Sequence, residues 1–326
     1  MRLTHLAAAT ILVLAAQGCA DTQTGDVQID LAMRGQVASN EAVLADVTIT
    51  NTSDHAVQLL SWNLPDADLQ EPLFQVTRDG QPVRYIGPRY KRAQPDASDF
   101  VTLAPGATLS RSVDLARFYD LSATGNYAVA IAIDNGRIAS SEVGSHIQGR
   151  NQARPSRPPK DTCSAFQHDQ INAALPIASQ YSAAARDYLA GSPSATQRYT
   201  TWFGAFSSAG WDKAHTDFTS IATAFATQQV TVDCSCKQKN VYAFVNPNDP
   251  YFITVCGAFW TAPTSGTDSK AGTFVHEMSH FNTTASTDDW AYGKTACMSL
   301  AQTDPTKALD NADSHEYFAE NTPAQP

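Results

Sequence analysis

Basic side chains are scarce in this sequence, and that scarcity limits what the protein can bind. The 326 residues contain 22 Lys and Arg against 32 Asp and Glu, which gives a formal net charge of −10 at pH 7. Because attraction to nucleic-acid phosphates requires a basic surface, this balance argues against a nucleic-acid-binding protein. Hydrophobic residues make up 43% of the chain, a composition typical of globular domains, and the length allows two of them.

The N-terminus lacks a hydrophobic run long enough to cross a membrane. Arg2 precedes an apolar run over residues 6–16, which is too short to span a bilayer but is typical of a secretory signal peptide. The following "AAQGC" resembles a bacterial lipobox, except that Ala16 stands where Leu is usual. We predict a signal peptide over residues 1–19 and export. Two outcomes stay open: a free secreted protein, or one attached to the outer membrane by a lipid on Cys19.

No cysteine lies between Cys19 and the C-terminal half of the chain. The other five all fall in that half: Cys163, Cys234, Cys236, Cys256 and Cys297. In an exported protein this number predicts two disulfides and one unpaired thiol. Because Cys234 and Cys236 cannot easily bond to each other, each should pair with a different partner. A metal cluster is the alternative, but the spacing lacks a second close pair of cysteines.

The pattern of apolar residues changes in the middle of the chain. Over residues 27–148 apolar and polar residues alternate between turn signals, which predicts an antiparallel β-sandwich. We find no catalytic constellation there and expect its scattered charges to be solvated. Residues 149–161, with four basic residues and three prolines, are predicted to be an exposed linker open to proteolysis. Residues 162–326 are predicted to be mainly helical, with three short strands in a small sheet, so the fold class is α+β.

One stretch in the helical half carries metal-binding chemistry. In "GTFVHEMSHFNTTASTDDWAYG", residues 272–293, an apolar stripe at helical spacing predicts an amphipathic helix. His276 and His280 are four residues apart and therefore lie on one face, at the separation that two ligands of a tetrahedral zinc ion need. Glu277 stands beside the first histidine, where it can act as a base. Asp288 and Asp289 follow closely and are candidates for a third ligand.

The two parts of this stretch together resemble the aspzincin metallopeptidases, a family that includes deuterolysin and the peptidyl-Lys metalloendopeptidases. The family pattern is HExxH followed by GTxDxxYG, and Ser286 stands here in place of its first glycine. The resemblance implies that His276, His280 and Asp289 bind one Zn²⁺ per chain, with Glu277 as the catalytic base. It also implies that Tyr292 points at the reacting carbonyl.

The same resemblance covers roughly residues 162–326 and has further implications. It pairs Cys163 with Cys234 and Cys236 with Cys256, and it leaves Cys297 free. It also suggests that the N-terminal sandwich is a propeptide, removed by cleavage within residues 149–161.

A second acidic motif lies near the C-terminus. In "NADSHEYFAEN", read as a helix, Asp313 and Glu316 share one face. Composition alone favours a solvated acidic face. The resemblance instead implies that these two carboxylates hold the lysine of the substrate. Two carboxylates around a narrow slot suit a compact ammonium group better than a planar guanidinium.

These observations predict a secreted, monomeric zinc endopeptidase that is made as a proenzyme and cuts proteins or peptides on the amino side of lysine. Two alternatives stay open. One is an exported binding or adhesion lipoprotein with a vestigial metal site, which the intact Glu277 argues against. The other is a zinc hydrolase of cell-wall peptides.

Overall fold

The computed structural model describes residues 25–133, 136–151 and 162–326, and within them the two halves of the chain differ in structure. The predicted signal peptide, with Cys19, and residues 152–161 of the predicted linker lie outside the described residues. In the part described, no helix combines the length and the apolarity needed to cross a membrane.

The N-terminal half consists of short strands. They are β1 Val27–Met33, β2 Gln36–Val37, β3 Leu44–Asn51, β4 Val57–Leu60, β5 Phe74–Arg78, β6 Gln81–Pro82, β7 Arg89–Arg92, β8 Phe100–Leu103, β9 Thr108–Asp114, β10 Gly125–Ile133, β11 Ile138–Ala139 and β12 Val143–Ile147. One sheet has the order β1-β3-β9, and another has the order β2-β12-β10-β5-β6, with β11 also paired to β10. All pairings in these two sheets are antiparallel except the one between β2 and β12.

These two sheets share one hydrophobic core. Alternate residues of β3 and β10 point inward, as strand geometry requires, and Val47 and Val129 are fully enclosed. The alternation seen in the sequence therefore predicted these strands correctly.

The C-terminal half has its own core, built mainly from helices. The helices are α1 Ala165–Leu189, α2 Gln197–Phe203, α3 Ser208–Thr227, α4 Gly257–Thr261, α5 Lys270–His280, α6 Lys294–Thr303, α7 Pro305–Ala308 and α8 Ala312–Glu320. Three strands also form, β13 Thr231–Asp233, β14 Val241–Val245 and β15 Phe252–Val255. A mainly helical half with a small sheet was predicted from the sequence, and the structure confirms it.

The small sheet contains one strand that the sequence did not predict. Its order is β13-β15-β14-β7, so its fourth strand comes from the N-terminal half. Strand β7 pairs antiparallel with β14, with Arg92 opposite Val241 and Arg89 opposite Val245. This pairing lays a segment of the N-terminal half along the edge of the C-terminal half.

Candidate active site

Helix α5 carries the two histidines through the centre of the C-terminal half. The helix begins at a cap in which the Ser269 side chain accepts a hydrogen bond from the backbone N–H of Gly272. Every residue of α5 is buried, because its apolar stripe packs into the core and its polar face is covered by α8 and β7. The polar side chains of this helix are therefore shielded from bulk water.

The structure brings together the three predicted metal ligands. The Nε2 atoms of His276 and His280 lie 3.1 Å apart. Asp289 reaches both rings, with Oδ1 at 3.3 Å from His276 Nε2 and Oδ2 at 3.3 Å from His280 Nε2. Each ring is oriented through its other nitrogen: His280 Nδ1 lies 2.8 Å from the Thr287 carbonyl oxygen, and His276 Nδ1 lies 2.8 Å from Asp313 Oδ1.

This donor set fits a divalent cation. Both Nε2 atoms and both Asp289 oxygens converge, and neither oxygen has a hydrogen-bond partner of good geometry among the described residues. Burial works against ionisation of Asp289, yet the two imidazoles hold its pKa below the usual value. Two imidazoles, each oriented through its other ring nitrogen, and one carboxylate are a typical protein site for zinc.

Asp288, the other candidate for a third ligand, points elsewhere. Its Oδ1 lies 2.6 Å from Arg89 Nη1, and it is not part of the group that could hold a metal ion. Its backbone forms an isolated bridge with Asn311, which ties the loop after α5 to the start of α8.

Neither carboxylate oxygen of Glu277 has a hydrogen-bond partner of good geometry among the described residues. Glu277 is completely buried, and burial is the main cause that raises its pKa well above the usual value. His280 opposes this rise in pKa, as do the ammonium and the backbone N–H of Lys91. A buried carboxyl with a raised pKa, next to a metal site, is suited to taking and returning a proton.

Tyr292 lines the same cavity as Asp289. Its hydroxyl donates a hydrogen bond of 2.9 Å to Oε1 of Glu71, a residue of the N-terminal half. Burial, followed by Asp289 and Glu71, raises the pKa of the Tyr292 phenol well above its usual value, so the group remains a donor.

Helix α8 supplies the acidic pair predicted from the C-terminal motif. Asp313 and Glu316 are buried rather than solvated, and both contact Lys91. The Lys91 ammonium donates a hydrogen bond of 3.1 Å to Asp313 Oδ1 and lies 2.5 Å from Glu316 Oε2. Although burial alone would lower it, the pKa of Lys91 is raised well above its usual value by these two carboxylates. The pocket thus encloses a lysine side chain that is 1% exposed.

One expectation from the sequence was wrong. The charges of the N-terminal half were expected to be solvated, but Glu71, Lys91 and Arg92 are buried in the cleft. Lys91 is buried because β7 forms the edge strand on β14 and Asp313, Glu316 and the Tyr242 ring surround its ammonium group. Glu71 and Arg92 contact each other, and Glu71 also accepts a hydrogen bond from Tyr292.

The structure also contains the two disulfides that the resemblance implied. Cys163 bonds to Cys234 and Cys236 bonds to Cys256. Cys297 is free and buried.

Sequence reasoning missed three residues of the site: Lys91, Glu71 and Gly272. A Cβ on Gly272 would lie 2.1 Å from Glu320 Oε1 and 2.8 Å from Glu316 Oε1, so a larger residue there would displace these two carboxylates. Nothing in "RYKR" marks Lys91 as buried, because the segment has no apolar alternation. The adjacent motif could have drawn attention to Gly272, since a glycine inside a helix is usually unfavourable.

Comparison with known proteins shows the family to which the chain belongs. Residues 188–320 match a family model described as lysine-specific metallo-endopeptidase, the aspzincin model. The chain is 40% identical over 314 residues to an extracellular protease of Aeromonas hydrophila, covering 88% of this chain and 90% of that protein. It is 49% identical over 162 residues to a peptidyl-Lys metalloendopeptidase of Pleurotus ostreatus, covering 50% of this chain and 96% of that protein. A solved zinc peptidase from Grifola frondosa is 45% identical, with a TM-score of 0.49, over 50% of this chain and all of that one.

Proposed function

Since the chain belongs to the aspzincin family of zinc-dependent metalloendopeptidases, we propose that it cuts peptide bonds on the amino side of lysine and is made as a latent proenzyme. The observation that carries this proposal is the seating of Lys91 between Asp313 and Glu316. The pocket already contains the side chain that the proposal assigns to it.

In the proposed site, His276, His280 and Asp289 hold the zinc ion. The fit is supported by the convergence of their donor atoms and by the two orphaned, buried oxygens of Asp289. Asp313 serves twice, because it contacts His276 Nδ1 as well as Lys91 Nζ. A carboxylate behind a ligating histidine fixes the ring and strengthens it as a ligand.

The remaining residues divide the work of hydrolysis. Zinc bound at this site would polarise the scissile carbonyl and lower the pKa of water. Glu277 takes the proton from the attacking water and gives it to the nitrogen of the leaving lysine. Tyr292 donates a hydrogen bond to the oxyanion that forms on the carbonyl oxygen.

The lysine pocket suits an ammonium group for chemical reasons. Two buried carboxylates at 3.1 and 2.5 Å surround the Lys91 nitrogen, and Tyr242 places its ring 5.1 Å away. The lysine ammonium can interact with both acids at once, and charge-assisted hydrogen bonds in a buried site therefore favour lysine. An apolar side chain at this position would leave them unpaired, at a large desolvation cost.

Latency follows from the same contacts. Strand β7 lies along β14 as an extended substrate would, and Lys91 fills the pocket that a substrate lysine needs. We propose that residues 27–148 are a propeptide in a β-sandwich fold and that cleavage within residues 149–161 begins its release. A relative of about half this length bears the name of a peptidyl-Lys metalloendopeptidase, which supports the view that the C-terminal half suffices.

Digestion of a protein mixture tests the specificity. Peptides released by the active enzyme should begin with lysine when they are sequenced by mass spectrometry. The control is Glu277→Gln, which should retain one zinc per chain and lose nearly all activity. Peptides beginning mainly with other residues would overturn the lysine pocket.

Location and the alternatives can be tested with the same preparation. An extracellular relative supports export, and attachment through Cys19 stays a prediction that fractionation of culture medium and membranes can test. The binding-lipoprotein alternative loses its support, because the chain is a metalloendopeptidase with Glu277 in place. Parallel digestion of casein and purified cell wall, with and without chelator, tests the cell-wall alternative.

A further inference from the structure

A second contact between β7 and the C-terminal half lies two residues before Lys91. Nη1 of Arg89 is 2.6 Å from Oδ1 of Asp288, and the two side chains are only 11% and 25% exposed. We propose that Asp288 is a specificity-determining residue that binds a basic side chain located two positions before the lysine of the substrate. This inference rests on the proposed function and deepens it, since it extends the recognition of substrate beyond the lysine pocket.

The strand register carries the first step. Lys91 lies opposite Ala243 and Arg89 lies opposite Val245, so both belong to the same antiparallel ladder on β14. Side chains two residues apart on a strand point to the same side. The distance from the lysine pocket to Asp288 is therefore matched to a spacing of two residues in an extended peptide, about 7 Å. A substrate that adds to β14 in the same way presents its own residues to both acids.

The position of Asp288 is fixed by the enzyme rather than by Arg89. Its backbone N–H donates a hydrogen bond of 2.7 Å to the Asp310 carbonyl, and its own carbonyl accepts one of 3.0 Å from Ala312. Its carboxylate also accepts a hydrogen bond of 3.2 Å from the backbone N–H of Asp289. These contacts connect it to both the metal site and α8, so the carboxylate keeps its place when the propeptide leaves.

Charge and access favour a ligand of one kind. Within the described part of the chain, Arg89 is the only basic group in ion-pair contact with Asp288. Asp288 also lines a cavity of about 710 Å³ between the two halves, together with Asp289 and Tyr292 on one side and Trp62 and Glu71 on the other. Without the propeptide, the Asp288 carboxylate would face an open cleft, two residues along an extended peptide from the lysine pocket. A cationic side chain is the complementary ligand.

A set of matched peptides tests the proposal with the active enzyme obtained from the full chain. The peptides share one lysine and differ only two residues before it, where they carry Arg, Ala or Glu. We expect kcat/KM to be about two- to fivefold higher with Arg than with Ala, and lower with Glu than with Ala, as for a partly exposed ion pair. Asp288→Asn should bring the Arg-to-Ala ratio close to one, and Asp288→Glu should keep the preference.

The matched control removes one carboxylate charge from a surface position outside the proposed site. Asp212 is exposed on α3, and Asp212→Asn should keep the wild-type ratio. A wild-type enzyme that cuts all three peptides before lysine at equal rates would overturn the Asp288 site while leaving the proposed function intact. Retention of the Arg preference in Asp288→Asn would overturn it as well. Cleavage away from lysine would instead refute the proposed function itself.

Discussion

The hydroxyl of Tyr292 donates its hydrogen bond to Glu71, a residue that lies 221 positions earlier in the chain. In the proposed mechanism that hydroxyl instead donates its hydrogen bond to the oxyanion of the substrate. Glu71 is buried, and burial followed by the nearby Asp289 raises its pKa to about 8, while Arg92 lies 3.6 Å from its Oε1. The N-terminal half therefore places Lys91 in the proposed lysine pocket and Glu71 on the proposed oxyanion donor at the same time.

Removal of the Glu71 side chain should make the Tyr90–Lys91 bond susceptible to cleavage. In Glu71→Ala, Tyr292 is free to donate to the carbonyl of a bond whose lysine already fills the pocket. We expect a new N-terminus at Lys91 to accumulate faster than in wild type, measured by N-terminal sequencing over time. The double variant Glu71→Ala with Glu277→Gln should not produce it. Equal accumulation in Glu71→Ala and wild type would show that this hydrogen bond does not protect the segment.

Replacement of Lys91 should weaken latency. Lys91→Ala removes a charge-assisted interaction worth about 1.5–3 kcal/mol, which corresponds to roughly a 10- to 150-fold weaker hold on the cleft. The uncleaved full chain should then hydrolyse a short lysyl peptide measurably faster than the wild-type proenzyme. Lys237→Ala, at an exposed lysine, is the control and should remain latent. An equally inactive Lys91→Ala proenzyme would argue that other propeptide contacts suffice.

The two acids of the lysine pocket should differ in their effect on zinc. Asp313 contacts His276 Nδ1 at 2.8 Å, whereas Glu316 Oε2 is 3.6 Å away from it. Asp313→Asn should therefore weaken zinc binding by about 10- to 100-fold in addition to lowering activity on lysyl bonds. Glu316→Gln should lower that activity with zinc affinity close to wild type. Competition with a chelator, followed by metal analysis, measures the first effect; equal zinc loss in both variants would contradict the assignment.

Ser286 should be a site of stored strain. It adopts a φ of 54°, in the left-handed region that glycine favours and where the family pattern has glycine. Ser286→Gly should raise the free energy of unfolding by about 0.5–1 kcal/mol, since the cost of that conformation for serine exceeds the entropy lost by glycine. Thermal unfolding with zinc bound would detect it as a higher Tm. A lower Tm would mean that the Ser286 side chain contributes contacts of its own.

Whether the sequence could predict a contact depends on how far apart its two residues lie along the chain. His276, Glu277 and His280 lie within two turns of one helix, so spacing alone placed them together. Asp313 and Glu316 share a helix face for the same reason, although only the family resemblance indicated that the face is buried. Lys91 and Asp313 are 222 residues apart, and their contact depends on a strand pairing between two halves. The segment around Lys91 has no apolar alternation, so its burial follows from its partner and not from its own pattern.

The fourth strand of the small sheet, β7, also has a consequence for folding during synthesis. The N-terminal half leaves the ribosome first, and β7 is therefore available as a template when β14 forms. The edge of β14 can therefore pair as soon as it forms, and Lys91 is in position to lie between the acids of α8 once that later helix is made. The strand to which we assign latency would thus also cover the unpaired edge of β14 and neutralise the acidic pocket while the sheet and both disulfides form.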